Sequence, residues 1–330
     1  MISKTILLLV RYALVLLLFV LSGCASLPTA TQKESALHVG VREGSADPIR
    51  SFAPVFILPG SEKSYNRIGR VVAHEKNGRE YIGIDPDQPV VYFGSFSFAT
   101  DRSVYTNQVY RVHFQKIPLK FVPFHLAAGN NIGVLVIITF SMDRVPLLVT
   151  TVNTCGCYVA VIPTGSLPPD AYPPAWTNKP QSVYGETLPA VLPPYSENDV
   201  LLVSVRPEVH RVMDLQVVPR AMLAARPLVY ADMLSLQSLK VLPLTNDKTK
   251  TTSFYYDAWP LRGHVKGSIK AWESLLLSLV SLDFYVGMDK EYGDTEVSGN
   301  PFYTSLLPWN RHASDMNDFA GFLKFWGWRL

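Results

Sequence analysis

From Phe52 onward the chain is a succession of short runs rich in valine, isoleucine, phenylalanine and tyrosine, broken by glycine, proline, asparagine and aspartate. PVFIL, GREYIGI, PVVYFGSFSF, VYRVHF, NIGVLVIITF, PLLVTTV, CYVAVI, DVLLVSV, LQVVP and SFYYDAW follow one another in this way. Branched and aromatic runs punctuated by turn residues are the mark of strands. They predict a mainly β fold, a sandwich or a curved antiparallel sheet, with helices added near the C-terminus. The strongest hairpin joins Gly133–Phe140 to Val145–Val152 through Ser141-Met142-Asp143-Arg144. Its first arm is apolar on both faces, so it belongs in the middle of a sheet covered on both sides. In Val109–Phe114, Tyr110, Val112 and Phe114 face one way and Arg111 and His113 the other.

Residues 163–195 are crowded with proline, including Pro168-Pro169, Pro173-Pro174 and Pro193-Pro194. Proline lacks the donor that a central strand needs, so this is an excursion from the sheet. Its Tyr172, Trp176, Tyr184 and Tyr195 suit a cover over the body or a binding lip. Helical turns are expected at Arg220–Ala225 and Asp232–Leu239. The clearest helix runs over about residues 268–286, where Lys270, Ser274, Ser278 and Ser281 trace a polar stripe. Its apolar arc is wide, which predicts a helix sandwiched between layers, and Gly287 is placed to stop it. A second helix is expected from Ser314 or Asp315 to Trp326. Its Phe319, Phe322, Leu323 and Trp326 face either a core or, with Lys324 and Arg329 nearby, a membrane or a partner. The folded part is thus read as one β-rich domain over residues 51–330, with the excursion at 163–195 and a helical portion at 265–330.

The N-terminus carries a different signal. Lys4 and Arg11 precede the uncharged run Tyr12–Leu21, and Leu21-Ser22-Gly23 leads to Cys24. The run is too short for a stable membrane span, which takes roughly 20 apolar residues, and small residues stand where a signal peptidase cuts. This segment resembles the signal peptide and lipobox of bacterial lipoproteins. The resemblance implies removal of residues 1–23, diacylglycerol on the Cys24 thiol and often an acyl chain, such as palmitate, on the new amine. Several chains at about 0.8 kcal/mol per buried methylene anchor a protein stably. Ala25, where an aspartate would favour inner-membrane retention, implies the outer membrane, facing the periplasm. Residues 24–50 read as a lipidated tether, with His38 solvated in it. The expected partners are the membrane, through lipid on Cys24, and an envelope protein.

The net charge of +3 falls to near neutrality once Lys4 and Arg11 are removed with the leader, and the remaining lysines and arginines are scattered. Nucleic acid is therefore not an expected partner, since phosphate binding needs a concentrated basic face. GxSxG, HExxH, P-loop, GxGxxG and CxxC are all missing from the sequence.

What remains is Thr154-Cys155-Gly156-Cys157. In a strand these cysteines would share a face with α-carbons about 6.6 Å apart, near the upper limit for a disulfide unless Gly156 bends the chain. Two readings stand side by side: a disulfide formed in an oxidising compartment, or a thiolate pair for zinc or copper completed from elsewhere. His125 is the first outside ligand candidate and His113 the second. Asp85 and Asp87 read as turn residues, and Glu186 as a solvent-facing carboxylate or an acid on the lip. The function expected is a lipid-anchored envelope binding module; the alternative is a metal- or thiol-dependent enzyme centred on Cys155, Cys157 and His125.

Overall fold

The computed structural model describes residues 36–42, 48–293 and 298–330. Cys24 and the leader lie outside the described residues. Among the described residues the fold is mainly β, built on one curled ten-stranded sheet, with a single-turn helix at Pro48–Ser51 and two longer helices, one of them C-terminal. In chain order the strands are β1 (Leu37–Val41), β2 (Val55–Leu58), β3 (Arg70–Lys76), β4 (Arg79–Asp85), β5 (Val90–Ala99), β6 (Val104–Ile117) and β7 (Gly129–Phe140). They continue with β8 (Pro146–Asn153), β9 (Ala160–Pro163), β10 (Gln181–Val183), β11 (Glu186–Leu188), β12 (Asp199–Val205), β13 (Val212–Pro219) and β14 (Leu228–Ser235). The large sheet runs β13-β12-β2-β1-β14-β5-β6-β7-β8-β9.

The central hairpin forms as its sequence predicts, with Val136 opposite Thr151 and Ile137 opposite Thr150. Every residue of β8 is buried, as is every residue of β7 from Asn131 on. Alternate residues feed two cores. Val109, Leu135, Ile137, Leu148 and Val152 face one core with the C-terminal segments. Tyr110, Val112, Val134, Val136 and Val149 face the other, together with Phe56, Leu201, Val203 and Leu215 from the far strands. The sheet therefore curls until its two wings share an interior.

The joins are not all antiparallel. β1 pairs with β14, β14 with β5 and β12 with β2 in parallel. These pairings bring together segments far apart in the chain, which local turn signals do not encode. They also explain two corrections. The end of the expected tether, Leu37–Val41, is a strand inside the sheet, held between β2 and β14, and His38 is half-buried 3.4 Å from Arg226. The expected helix at Asp232–Leu239 is instead the end of β14 followed by a 3-10 turn at Leu236–Lys240.

The helices are shorter than their sequence patterns. α1 spans Ala271–Ser281 and is ended by Leu282 in the left-handed conformation, before Gly287 is reached. α2 spans Phe319–Phe325, its first turn capped by the Asp318 carboxylate, which accepts from the Gly321 N–H. Phe319, Phe322 and Leu323 are buried in the first core, so the docked reading of the C-terminus holds. The proline-rich excursion is a cover: Tyr172 and Trp176 pack with Trp328 at ring distances of 5.2 to 6.1 Å.

Candidate functional site

β8 ends in a tight turn that carries both cysteines. The Gly156 N–H donates to the Asn153 carbonyl (2.8 Å) and the Asn153 N–H to the Cys157 carbonyl (2.9 Å). Gly156 has φ +92°, and a Cβ there would meet the Tyr303 carbonyl oxygen at 2.2 Å, so the position demands glycine. The turn aims both side chains at the N-terminal part of α1. Cys155 is buried, Cys157 partly so, and both are free thiols. The Cys157 Sγ lies 4.0 Å from a carboxylate oxygen of Glu273. One ligand atom from each of Cys155, Cys157 and Glu273 falls within 4.8 Å of the other two.

A charged shell surrounds this trio. Lys270 Nζ lies 3.1 Å from Asp289 and 3.8 Å from Glu273, and none of the three side chains is more than 4% exposed. Asp289 in turn accepts from the Gly133 N–H at 2.9 Å and from the Thr154 hydroxyl. Lys290, also buried, sits 4.2 Å from the Tyr303 ring centre and 3.5 Å from the Cys155 carbonyl. Tyr303 donates to Asp283, which also pairs with Arg311 at 3.3 Å. Arg111, from the middle of β6, donates to the Lys290 carbonyl and to His113.

Burial and charge oppose each other throughout the cluster. Burial works against ionised Cys155, but the hydrogen bond from Cys157 and the charge of Lys270 outweigh it and hold that thiol below its ordinary value. Donating to Cys155, with burial added, keeps Cys157 protonated well above the usual range. Burial raises Glu273, which Lys270 only partly offsets. Burial also opposes the Lys270 charge, yet Asp289 and the thiols hold the ammonium well above its ordinary value.

His125 is not part of this site. Its ring shares Nδ1 with the Pro118 carbonyl (3.1 Å) and approaches Glu208 at 3.9 Å, in a network with Lys120 and Lys63. The group that stands beside the thiols is the Glu273 carboxylate and not the His125 ring. His113 is buried and committed to Arg111, with its ring against Phe254 at 4.8 Å. Glu186 is not solvent-facing: it is buried and clamped by Arg206 and Arg211. The sequence did hold a trace of Glu273. It is the single acid between Lys270 and Leu282, three residues from the lysine and in the middle of an apolar run.

α1 is also turned inside out. Its buried residues are Glu273 and Ser281, whereas Leu275, Leu279 and Val280 are 61%, 79% and 56% exposed. The exposed surface continues through Leu282 and Phe284. On one flank Trp272 meets Phe124, at a ring distance of 5.9 Å, next to exposed Phe121 and Val122. On the other flank the Asp283–Arg311 pair brings in exposed Leu307 and Trp309. The expectation of a sandwiched helix is thereby overturned: periodicity defines which residues share a face, while packing decides which face meets solvent. Across residues 119–124, 269–284 and 305–312 the only carboxylates are Glu273 and Asp283, both buried; Lys120 is paired with Glu208, Arg311 with Asp283, and Lys270 is buried, so the ridge presents mainly apolar groups. No described helix is long and apolar enough to cross a membrane. A surface groove of about 450 Å³ lies elsewhere, lined by Glu75, Glu80, Lys250 and Thr252. The chain matches no known protein family, no curated protein and no solved structure.

Proposed function

We propose that the chain is a lipid-anchored cell-envelope protein, a binding module that lies against the membrane through the α1 ridge. The lipobox-like Leu21-Ser22-Gly23-Cys24 supports anchoring, and Ala25 supports the outer membrane, facing the periplasm. The observation that carries the membrane reading is the outward apolar face of α1, flanked by exposed Phe121, Val122, Phe284 and Trp309. Exposed apolar side chains gathered on linked segments mark an interaction surface. Aromatic and aliphatic groups of this kind suit the headgroup boundary of a bilayer. The covalent lipid supplies attachment, and the ridge fixes which side of the body faces the bilayer.

The test is depth-dependent quenching of Trp309 fluorescence by brominated lipids, in lipidated protein reconstituted into vesicles. Quenching that fades as the bromines move toward the bilayer centre is the expected result. An unquenched Trp309 overturns the membrane reading, and a concentration-dependent doubling of mass in detergent would assign the ridge to a second copy instead. Unmodified Cys24 in the exported chain overturns the anchor.

A further inference from the structure

We propose that Cys155, Cys157 and Glu273 form a binding site for a thiophilic divalent cation, with zinc the reference ion, and that the bound ion staples α1 to the turn after β8. The inference does not depend on the membrane reading, because it concerns the buried face of α1 and not the exposed one.

Four observations carry it. The first is the donor set. Two thiolates and a carboxylate are ordinary zinc ligands, at about 2.3 Å for sulfur and about 2.0–2.2 Å for oxygen. Tetrahedral bonds of those lengths put neighbouring donors about 3.5–3.8 Å apart. The three donors here lie within 4.8 Å of one another, with one Sγ–carboxylate separation of 4.0 Å, so small side-chain rotations close the site. The second is an orphaned atom: Glu273 Oε2 is buried with no hydrogen-bond partner, and Lys270, at 3.8 Å, stands beyond hydrogen-bond reach. A buried carboxylate oxygen left unsatisfied costs free energy that a cation removes.

The third observation is the surrounding shell. The turn is fixed by its own hydrogen bonds and by Gly156 pressed against Tyr303. Lys270 and Asp289, the latter held by Gly133 and Thr154, lie behind the donors as an outer layer of the kind that orients ligands. The fourth is mechanical. A helix that shows Leu275, Leu279 and Val280 to solvent is fastened only in part by apolar burial, so its polar side must help hold it to the body. Glu273 is the residue of α1 that reaches the turn.

The ion takes its donors as thiolates and carboxylate, so any proton they hold is released to solvent as it enters. The fourth position falls to water on the partly exposed Cys157 side. A disulfide between Cys155 and Cys157 and the ion exclude each other, because the bridge consumes both thiolates.

The experiment uses the full chain, reduced, loaded with zinc alone and passed through gel filtration. One zinc per chain is expected, retained in His125→Ala and weakened at least about tenfold in Glu273→Gln and in Cys157→Ser. Cobalt(II) in place of zinc should give thiolate-to-metal charge-transfer absorption. Zinc should slow amide hydrogen exchange across residues 271–281 more than elsewhere. Should the cysteine variant misfold, the Glu273→Gln titration and the cobalt spectrum of the unaltered chain decide. Sub-stoichiometric zinc in the reduced chain, unchanged affinity in Glu273→Gln, or a Cys155–Cys157 disulfide in the protein as exported overturns the proposal.

Discussion

Replacing Leu279 and Phe284 together with glutamate separates a membrane face from a core. Truncating a buried leucine or phenylalanine costs about 2–5 kcal/mol of stability, and burying a charge there costs more. Leu279 is 79% and Phe284 85% exposed, so the double variant should fold with stability changed by no more than about 0.5 kcal/mol per site. Seating is another matter. Full burial of either side chain gives about 1.5–3 kcal/mol. Scaled by exposure and by half-immersion in the interface, the pair contributes about 1.2 to about 2.5 kcal/mol. That is a factor of about 8 to about 60 in the ratio of seated to lifted protein. The covalent lipid keeps both proteins on the vesicle, so the assay reads orientation and not partitioning. Trp309 quenching by shallow brominated lipid should fall toward the background set by a Trp309→Phe control, while the urea midpoint stays put. Equal quenching in the variant and the parent refutes the reasoning, and so does a variant that unfolds.

Three further outcomes follow from the same geometry. Glu186→Gln should cost about 3 kcal/mol in urea unfolding, because it removes the buried carboxylate charge that both Arg206 and Arg211 clamp. Although burial pushes Glu186 up, Arg206 and Arg211 hold it below the usual carboxylate value; the stability it contributes is present above about pH 4.5 and drains as pH falls through the lower folded value. Burial lowers His210 to about 4, with its ring stacked on Phe114 at 4.2 Å. The unfolded chain therefore takes up that proton first, and stability should decline between pH 6.5 and about 4, by at most about 3 kcal/mol from this residue. His210→Asn, which tolerates the positive φ there, should flatten the decline as followed by unfolding midpoints across pH. Gly156→Ala drives a methyl group into the Tyr303 carbonyl at a φ of +92° and should lower the thermal midpoint by several degrees while loosening the segment around Tyr303.

Much of the fold was legible because its signals are local. The β7–β8 hairpin announced itself through apolar residues on both faces, a polar turn, and lengths suited to strands. The docking of Phe319, Phe322 and Leu323 followed from helical spacing. The site was half legible. Cys155-Gly156-Cys157 stood out, but its third ligand was sought at His125, which sits nearer in sequence and belongs instead to the Glu208 network. Glu273 is more than a hundred residues away, and nothing in local spacing ties it to the turn.

By itself the sequence determined the strand-rich class, the covered central hairpin, the existence of α1 and α2, and the close pair of cysteines. Only the tertiary structure decided that Leu37–Val41 joins the sheet, that three joins are parallel, that Glu273 meets the cysteines and that α1 turns its leucines outward. Periodicity and turn chemistry act over a few residues, whereas register between distant strands and the side of a helix that faces the body are settled by packing among segments far apart in the chain.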